Sequence, residues 1–322
     1  MKKPIVVLTG PTAVGKTELS IQLAKVIGGE IISADSMQVY KHMDVGSAKI
    51  TPEEMDGVRH YLVDELEPFD EFHVVKFQEY AQKYLNEIYA HGKIPIIAGG
   101  TGFYIQALLN DIDFTEQESD STYRKELEAL AEEHGNQYLH DRLKEVDPES
   151  AEAIHPNNRK RVIRALEFYQ ETGRKISEHN AKEQMRTSPY NFAYFVLNDE
   201  RSHLYKRIDA RVDKMIEDGL EAEVRRLKEM GCTKDMVAMQ GIGYKEMLSY
   251  LDGGYSLEEA VYIIKRETRH FAKRQITWFK RERDVIWLNK NEFDYKNEAI
   301  LAYMIKILSL IHILTLPTNS LV

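Results

Sequence analysis

Eight residues near the amino end, Gly10-Pro11-Thr12-Ala13-Val14-Gly15-Lys16-Thr17, fit the pattern G-x-x-x-x-G-K-[ST]. They follow the apolar run Pro4-Ile-Val-Val-Leu8 and precede a helical pattern. That strand–turn–helix setting is what a phosphate cradle requires, and it separates this match from a glycine-rich turn without a ligand. Glycines let backbone N–H groups converge on phosphate oxygens, and the helix N-terminus adds positive potential. Lys16 supplies a point charge for the terminal phosphate, and the Thr17 hydroxyl is a candidate Mg²⁺ ligand. The motif specifies a polyphosphate without specifying ATP. Asp35 ends an apolar run, but the run Ile94–Ala98 continues as Gly99-Gly100-Thr101, so the second strand-terminal Asp of many P-loop NTPases is missing.

Further short apolar runs, Glu30–Ala34, Ile94–Ala98, Phe192–Leu197 and Val285–Leu288, alternate with helical patterns. The fold class expected is α/β, a P-loop NTPase-like parallel sheet flanked by helices. Phe72–His91 has helical periodicity closed by Gly92; Leu204–Met230, Tyr244–Leu251 and Leu257–Arg283 also read as helices. Between Asp113 and Pro189 the texture changes. A polar acidic stretch, Glu116–Ser121, leads into a nearly all-helical segment broken at Gly135, Asp147-Pro148 and His155-Pro156. Residues 113–189 are therefore expected to form a helical insertion, leaving 1–112 plus 190–308 as the core domain. Residues 309–322 are largely apolar, carry no Asp, Glu, Lys or Arg, and read as a non-native tail, with an amphipathic membrane anchor as the rival.

The chain has 322 residues, 43% of them apolar and 30% charged, an ordinary soluble balance with room for two domains. A net charge of −9 argues against a basic nucleic-acid protein on average, but an average hides local faces. One cysteine, Cys232, excludes an intrachain disulfide and a Cys-rich zinc site and fits a reducing cytoplasm. No run of 18 apolar residues suggests a membrane span.

Five motifs in order, Gly10–Thr17, SADSMQVYKHMDVGSAK (Ser33–Lys49), GGTGFY (Gly99–Tyr104), GIGYKEM (Gly241–Met247) and AKRQITWFKR (Ala272–Arg281), resemble those of the tRNA dimethylallyltransferases, or tRNA isopentenyltransferases, of bacterial type. The resemblance runs from about residue 4 to residue 300. It implies transfer of a dimethylallyl group from dimethylallyl pyrophosphate to the N6 amine of adenosine 37 of tRNA, releasing pyrophosphate. It also implies that Gly10–Thr17 hold that pyrophosphate, with Mg²⁺ as cofactor, and the chain is expected to work as a cytoplasmic monomer without membrane contact.

The resemblance places Asp35 as general base. The adenine amine is a poor nucleophile because its lone pair is delocalised, and a carboxylate in reach orients it and takes its proton. Asp35 as a cap or a water-mediated Mg²⁺ ligand is the alternative. Thr101 is placed beside the reacting amine, where it also suits a helix N-cap. Arg211 is placed on the leaving pyrophosphate. Along the tRNA path the resemblance sets Asp35, Ser36, Met37, Gln38, Thr101, Arg124, Arg159, Lys160, Arg161, Val162, Ile163, Gln240, Gly241, Ile242, Gly243, Tyr244, Lys245, Lys273, Arg274 and Gln275. Gln38 is the expected reader of the adenine edge.

Residues Lys265–Arg283 carry eight cations against two carboxylates, with Phe271, Trp278 and Phe279 interleaved. Arg159-Lys160-Arg161 with Arg164 forms a second cluster. Each alone suits a solvated helix face; together they are expected to act as two sides of a clamp on RNA. A small-molecule kinase on the same fold and a non-catalytic RNA-binding protein are the competing functions.

Overall fold

The protein is described by a computed structural model covering residues 2–112, 122–184 and 186–314. The chain divides into two compact units, Met1–Leu109 with Pro189–Val322, and Asn110–Ser188.

The first unit is built on a six-stranded parallel sheet in the order β3-β2-β4-β1-β5-β6. The strands are β1 (Lys3–Thr9), β2 (Gly29–Ala34), β3 (His60–Tyr61), β4 (Ile94–Gly99), β5 (Tyr190–Asn198) and β6 (Val285–Asn289). All the expected strands form. β3, only two residues long, was not foreseen because it is too short to show a period.

The apolar runs are unbroken because both sheet faces are covered. Val6, Leu8, Ile31, Ile96, Phe195 and Leu197 face one layer, containing α1 (Lys16–Ile27) and α13 (Asn297–Leu310). Ile5, Val7, Ile32, Ile97, Tyr194 and Val196 face the other, containing α2 (Val74–Ala90), α3 (Gly102–Leu109), α10 (Leu220–Glu229) and α11 (Tyr244–Leu251). The single helix expected over 204–230 is two: α9 (Arg201–Glu217) ends at Asp218-Gly219, where α10 starts. α12 (Leu257–Phe279) begins with a capping box, the Ser256 hydroxyl accepting from the Glu259 amide and Glu259 from the Ser256 amide.

From β1 the chain moves to β2 and β4 on one side, then crosses to β5 and β6 on the other. The loops after β1 and β4 therefore diverge, and a crevice opens at the carboxyl ends of the strands, the usual ligand position in such sheets.

The second unit contains α4 (Thr122–His134), α5 (Asn136–Val146), α6 (Pro148–Ala153), α7 (Arg159–Thr172) and α8 (Ile176–Gln184). Its core is Leu127, Leu139, Leu143, Val162, Ile163 and Leu166. Buried Asp147 ties it together, accepting from the hydroxyls of Ser150 at 2.6 Å and Ser177 at 2.7 Å.

The expectation that everything after 308 lies outside the fold is corrected in part. α13 runs to Leu310, Ile313 is buried against the sheet, and the carbonyl of Ile311 accepts from Asn191 Nδ2 at 3.1 Å. Residues 315–322 lie outside the described residues. No helix among those described is long and apolar enough to cross a membrane.

Candidate active site

Three loops meet at the crevice. The first is Gly10–Thr17. Gly10 has φ 147°, and a side chain there would collide with the carbonyl of Leu197 in β5; Gly15 has φ 102° and opens directly into α1. Lys16 folds back, its Nζ donating to the carbonyls of Gly10 at 3.0 Å and Pro11 at 2.9 Å. Burial first, and then the Arg211 charge, lower its pKa, Asp35 partly restores it, and the net value is about 8. Thr17 is exposed at the mouth.

The second loop follows β2. Asp35 Oδ1 accepts from the amides of Met37 at 2.8 Å and Gln38 at 3.3 Å, closing a tight turn. Oδ2 accepts no hydrogen bond among the described residues, so one oxygen builds the turn and the other stays available. No helix follows Asp35, so the helix cap weighed from sequence is not what it forms; it closes a loop turn, which leaves half the carboxylate for chemistry. Gln38 spends its Nε2 on the carbonyl of Ala48 at 3.2 Å.

The third loop follows β4. The amide of Thr101 donates to the carbonyl of Ala34 at 3.1 Å, fastening this loop to the Asp35 loop. The Thr101 carbonyl accepts from Tyr104 and Ile105, the N-cap position of α3, while its hydroxyl makes no hydrogen bond among the described residues. Thr9 Oγ1 donates to the carbonyl of Gly99 at 2.7 Å, tying β1 to β4.

Gln275 on α12 joins the first and third loops. Its Oε1 accepts from the amide of Thr12 at 2.9 Å and its Nε2 donates to the carbonyl of Gly100 at 2.9 Å. Buried inside the protein, its amide holds two loops together.

Arg211 on α9 completes the group. It is half-buried, Nη2 donates to the carbonyl of Ser47 at 3.4 Å, and its charge acts on Lys16 and on Asp35. Ala13, Gly15, Lys16, Thr17, Arg207, Ala210 and Arg211 line a cavity of about 430 Å³.

Several residues foreseen on the tRNA path lie inside the protein. Val162 and Ile163 belong to the core of the helical unit. Tyr244 and Gly243 are buried, Ile242 is partly covered, and Gly241 sits against the Met37 sulfur. Gln240 is exposed but donates to the carbonyl of Lys234. Arg124 pairs with the buried carboxylate of Glu167 at 3.1 Å. Ser36 is half-buried, Lys160, Arg161 and Lys245 are exposed, and Arg159 lies 3.9 Å from Glu132.

The basic segment is smaller than its charge count suggests. Lys265 pairs with Asp213 at 2.5 Å, Arg269 with Asp209 at 2.6 Å, and Arg266 with Glu267 at 2.9 Å. Lys273, Arg274, Lys280, Arg281 and Arg283 are exposed, with no ion-pair partner among the described residues. Of the aromatics, Phe279 is buried, Trp278 packs on Gly102, and Phe271 lies 5.8 Å beneath the Arg274 guanidinium.

Sequence reasoning missed Glu223, Arg207 and Lys290. Glu223 carries no motif signal on its own. Arg207 stands four residues before Arg211 on α9, a one-face spacing that could have drawn attention to it.

Such a parallel sheet, with a phosphate loop, one available carboxylate and an arginine at its edge, defines a P-loop group-transfer enzyme. The IPP transferase family model matches residues 38–282. The chain is 64% identical to the tRNA dimethylallyltransferase of Lachnoclostridium phytofermentans over 308 residues, 95% of this chain and 98% of that protein. The full-length tRNA isopentenylpyrophosphate transferase structure from Bacillus halodurans matches with TM-score 0.72 and 45% identity, covering 97% of this chain and 98% of that one. A eukaryotic dimethylallyltransferase crystallised acting on tRNA matches with TM-score 0.77 and 32% identity, over 89% of this chain and 74% of that chain. The chain belongs to the IPP transferase family. It is a prenyltransferase that places a dimethylallyl group on tRNA, and the kinase alternative is set aside.

Proposed function

We propose that the donor is dimethylallyl pyrophosphate, that the acceptor is the N6 amine of the adenosine beside the anticodon, and that Asp35 is the base. The carrying observation is Asp35 itself: one carboxylate oxygen fixes the turn and the other is free, in a site whose other charges, Lys16 and Arg211, are cations.

The diphosphate lies against Gly10–Thr17, with Lys16 and the N-terminus of α1 facing its charge. The amine attacks the allylic carbon. As the C–N bond forms, the C–O bond to the diphosphate breaks, and that electron pair leaves with the diphosphate oxygen. Arg211 neutralises the growing negative charge. Asp35 Oδ2 accepts the amine proton. The Thr101 hydroxyl orients the amine. The flipped-out base is read next to Gln38, whose Oε1 makes no hydrogen bond among the described residues.

The chain offers Mg²⁺ one ligand here, the exposed Thr17 hydroxyl, and no cluster of three or more His, Cys, Asp or Glu among the described residues could hold a metal. This fits an ion that arrives with the diphosphate and keeps several waters. When bound it would withdraw charge from the phosphate oxygens. Exposed Lys273 and Arg274, and Lys160 and Arg161 on the helical unit, supply cations for RNA phosphates. The enzyme acts as a cytoplasmic monomer.

The test is transfer of radiolabelled dimethylallyl from its pyrophosphate to an anticodon stem-loop with Mg²⁺ and no ATP. Label on a loop carrying adenosine at position 37, and none on a guanosine control, is the expected result. No label on either, with ATP consumed against a small acceptor, overturns it.

A further inference from the structure

Two cations outside the proposed mechanism sit on the phosphate loop. Arg207, on α9, donates Nε to the carbonyl of Ala13 at 2.8 Å. Lys290, just past β6, is buried with its Nζ 3.4 Å from the carbonyl of Val14. Arg207 Nη2 and Lys290 Nζ each stand 3.5 Å from the point above Gly15 where a Cβ would be. Two like charges thus converge on the bare backbone of the last loop glycine. Burial and the Arg207 charge both lower the Lys290 pKa, with Asp199 and Glu18 as its only counter-charges of note.

The Nε bond from Arg207 to Ala13 fixes the plane of the guanidinium, and the two Nη groups have no hydrogen-bond partner among the described residues. The side chain is exposed and lines the cavity of about 430 Å³ together with Arg211, one helical turn on. A planar fork held by its stem, with both tines open to a cavity, is pre-organised for two phosphate oxygens.

We propose that Arg207, backed by Lys290, binds the terminal phosphate of the donor and makes the site selective for diphosphates over monophosphates. Arg211 acts on the phosphate nearer the prenyl carbon, and Arg207 on the one beyond it. The two residues are spaced four apart on one helix face and line the same cavity, which lets both reach one diphosphate. The proposal rests on the reading that this loop holds the donor diphosphate.

The experiment is calorimetric titration of the full chain with inorganic pyrophosphate and with inorganic phosphate, both with Mg²⁺. The unsubstituted protein is expected to bind pyrophosphate more tightly. Arg207→Gln is expected to weaken pyrophosphate by about ten- to hundredfold, the worth of a charge-assisted pair, while changing phosphate by less than about twofold. Arg207→Lys should recover part of the loss and Lys290→Met should show a smaller loss of the same sign. Because Arg207 is exposed, the thermal midpoint of the free protein should not move. If the unsubstituted protein fails to bind pyrophosphate, the donor reading itself fails. If it binds, and Arg207→Gln leaves pyrophosphate unchanged or weakens both ligands equally, the selectivity role is overturned.

Discussion

The Tyr244 hydroxyl donates to the Glu223 carboxylate at 2.8 Å, and the same carboxylate accepts from the amides of Asp44, Val45 and Gly46 at 2.8, 2.7 and 3.0 Å. Glu223 is buried and pairs with no cation among the described residues; four donors satisfy it. It shapes the loop whose next carbonyls, Ser47 and Ala48, receive Arg211 and Gln38. Two sequence motifs distant in the chain, DVGSAK and GIGYKEM, thus form one network. Glu223→Ala strands buried N–H groups and is expected to cost about 3 kcal/mol, against about 1 kcal/mol for Tyr244→Phe, which deletes one donor. Urea denaturation of both variants checks the ratio.

Asp35→Asn keeps an Oδ1 that can accept from Met37 and Gln38, so the turn should persist. What disappears is proton acceptance. Turnover is expected to fall by about a hundredfold or more, with tRNA affinity nearly unchanged. Single-turnover rates beside a filter-binding titration separate the two. An equal fall in both would remove Asp35 from the role of base.

How much of this was legible in the sequence varies with distance along the chain. Gly10–Thr17 is contiguous, and its strand and helix are visible as an apolar run and a period, so cradle and sheet could be read directly. Asp35 and Thr101 sit at the ends of apolar runs, which marks the carboxyl edge of a parallel sheet. Their roles came from the family resemblance. Glu223 and Lys290 stayed hidden because their partners, the 44–46 amides and the Val14 carbonyl, are backbone groups far off in sequence. The charge count over 265–283 misled for the same reason. Asp209 and Asp213, which neutralise Arg269 and Lys265, lie on another helix.

That division within the basic segment has a consequence for RNA. Lys273→Gln with Arg274→Gln is expected to weaken tRNA binding and to flatten its salt dependence, by about 0.7 to 0.9 in log–log slope for each phosphate no longer neutralised. Arg269→Gln should leave the slope alone, since its charge is already spent on Asp209 at 2.6 Å. Binding titrations between low and moderate salt decide the matter. Equal slopes in all three proteins would take the RNA face elsewhere.

Lys16 makes the phosphate site pH-dependent. Burial brings its pKa from 10.5 to about 8 in the free enzyme. Between those values the unfolded chain holds the proton and the folded chain does not, so Lys16 contributes rising stability as pH increases from about 8 to 10.5. Ligand binding runs the other way. Below about pH 8 the ammonium is present to meet the diphosphate, and above it the charge is gone. Pyrophosphate affinity is expected to drop above pH 8 in the unsubstituted protein, and Lys16→Met should lack that drop while binding weakly throughout. Titrations at three pH values on each protein supply the comparison, and the variant cancels the ionisation of pyrophosphate itself.

Glu282 gives stability a slope of opposite sign. Burial raises its carboxyl to about 7, and Gln106 Nε2 lies 3.4 Å from Oε1. The folded chain keeps this proton up to about pH 7, whereas the unfolded chain releases it near 4.5. Across that window the folded state binds more protons, so the contribution of Glu282 is present below 4.5 and declines as pH rises to 7. Glu282→Gln is neutral at every pH and can keep the hydrogen bond with Gln106. Denaturation midpoints at pH 5 and pH 7.5 should therefore differ less in the variant than in the unsubstituted chain, with the variant the more stable of the two at the higher pH. An unchanged difference would show that Glu282 is ionised across the whole range.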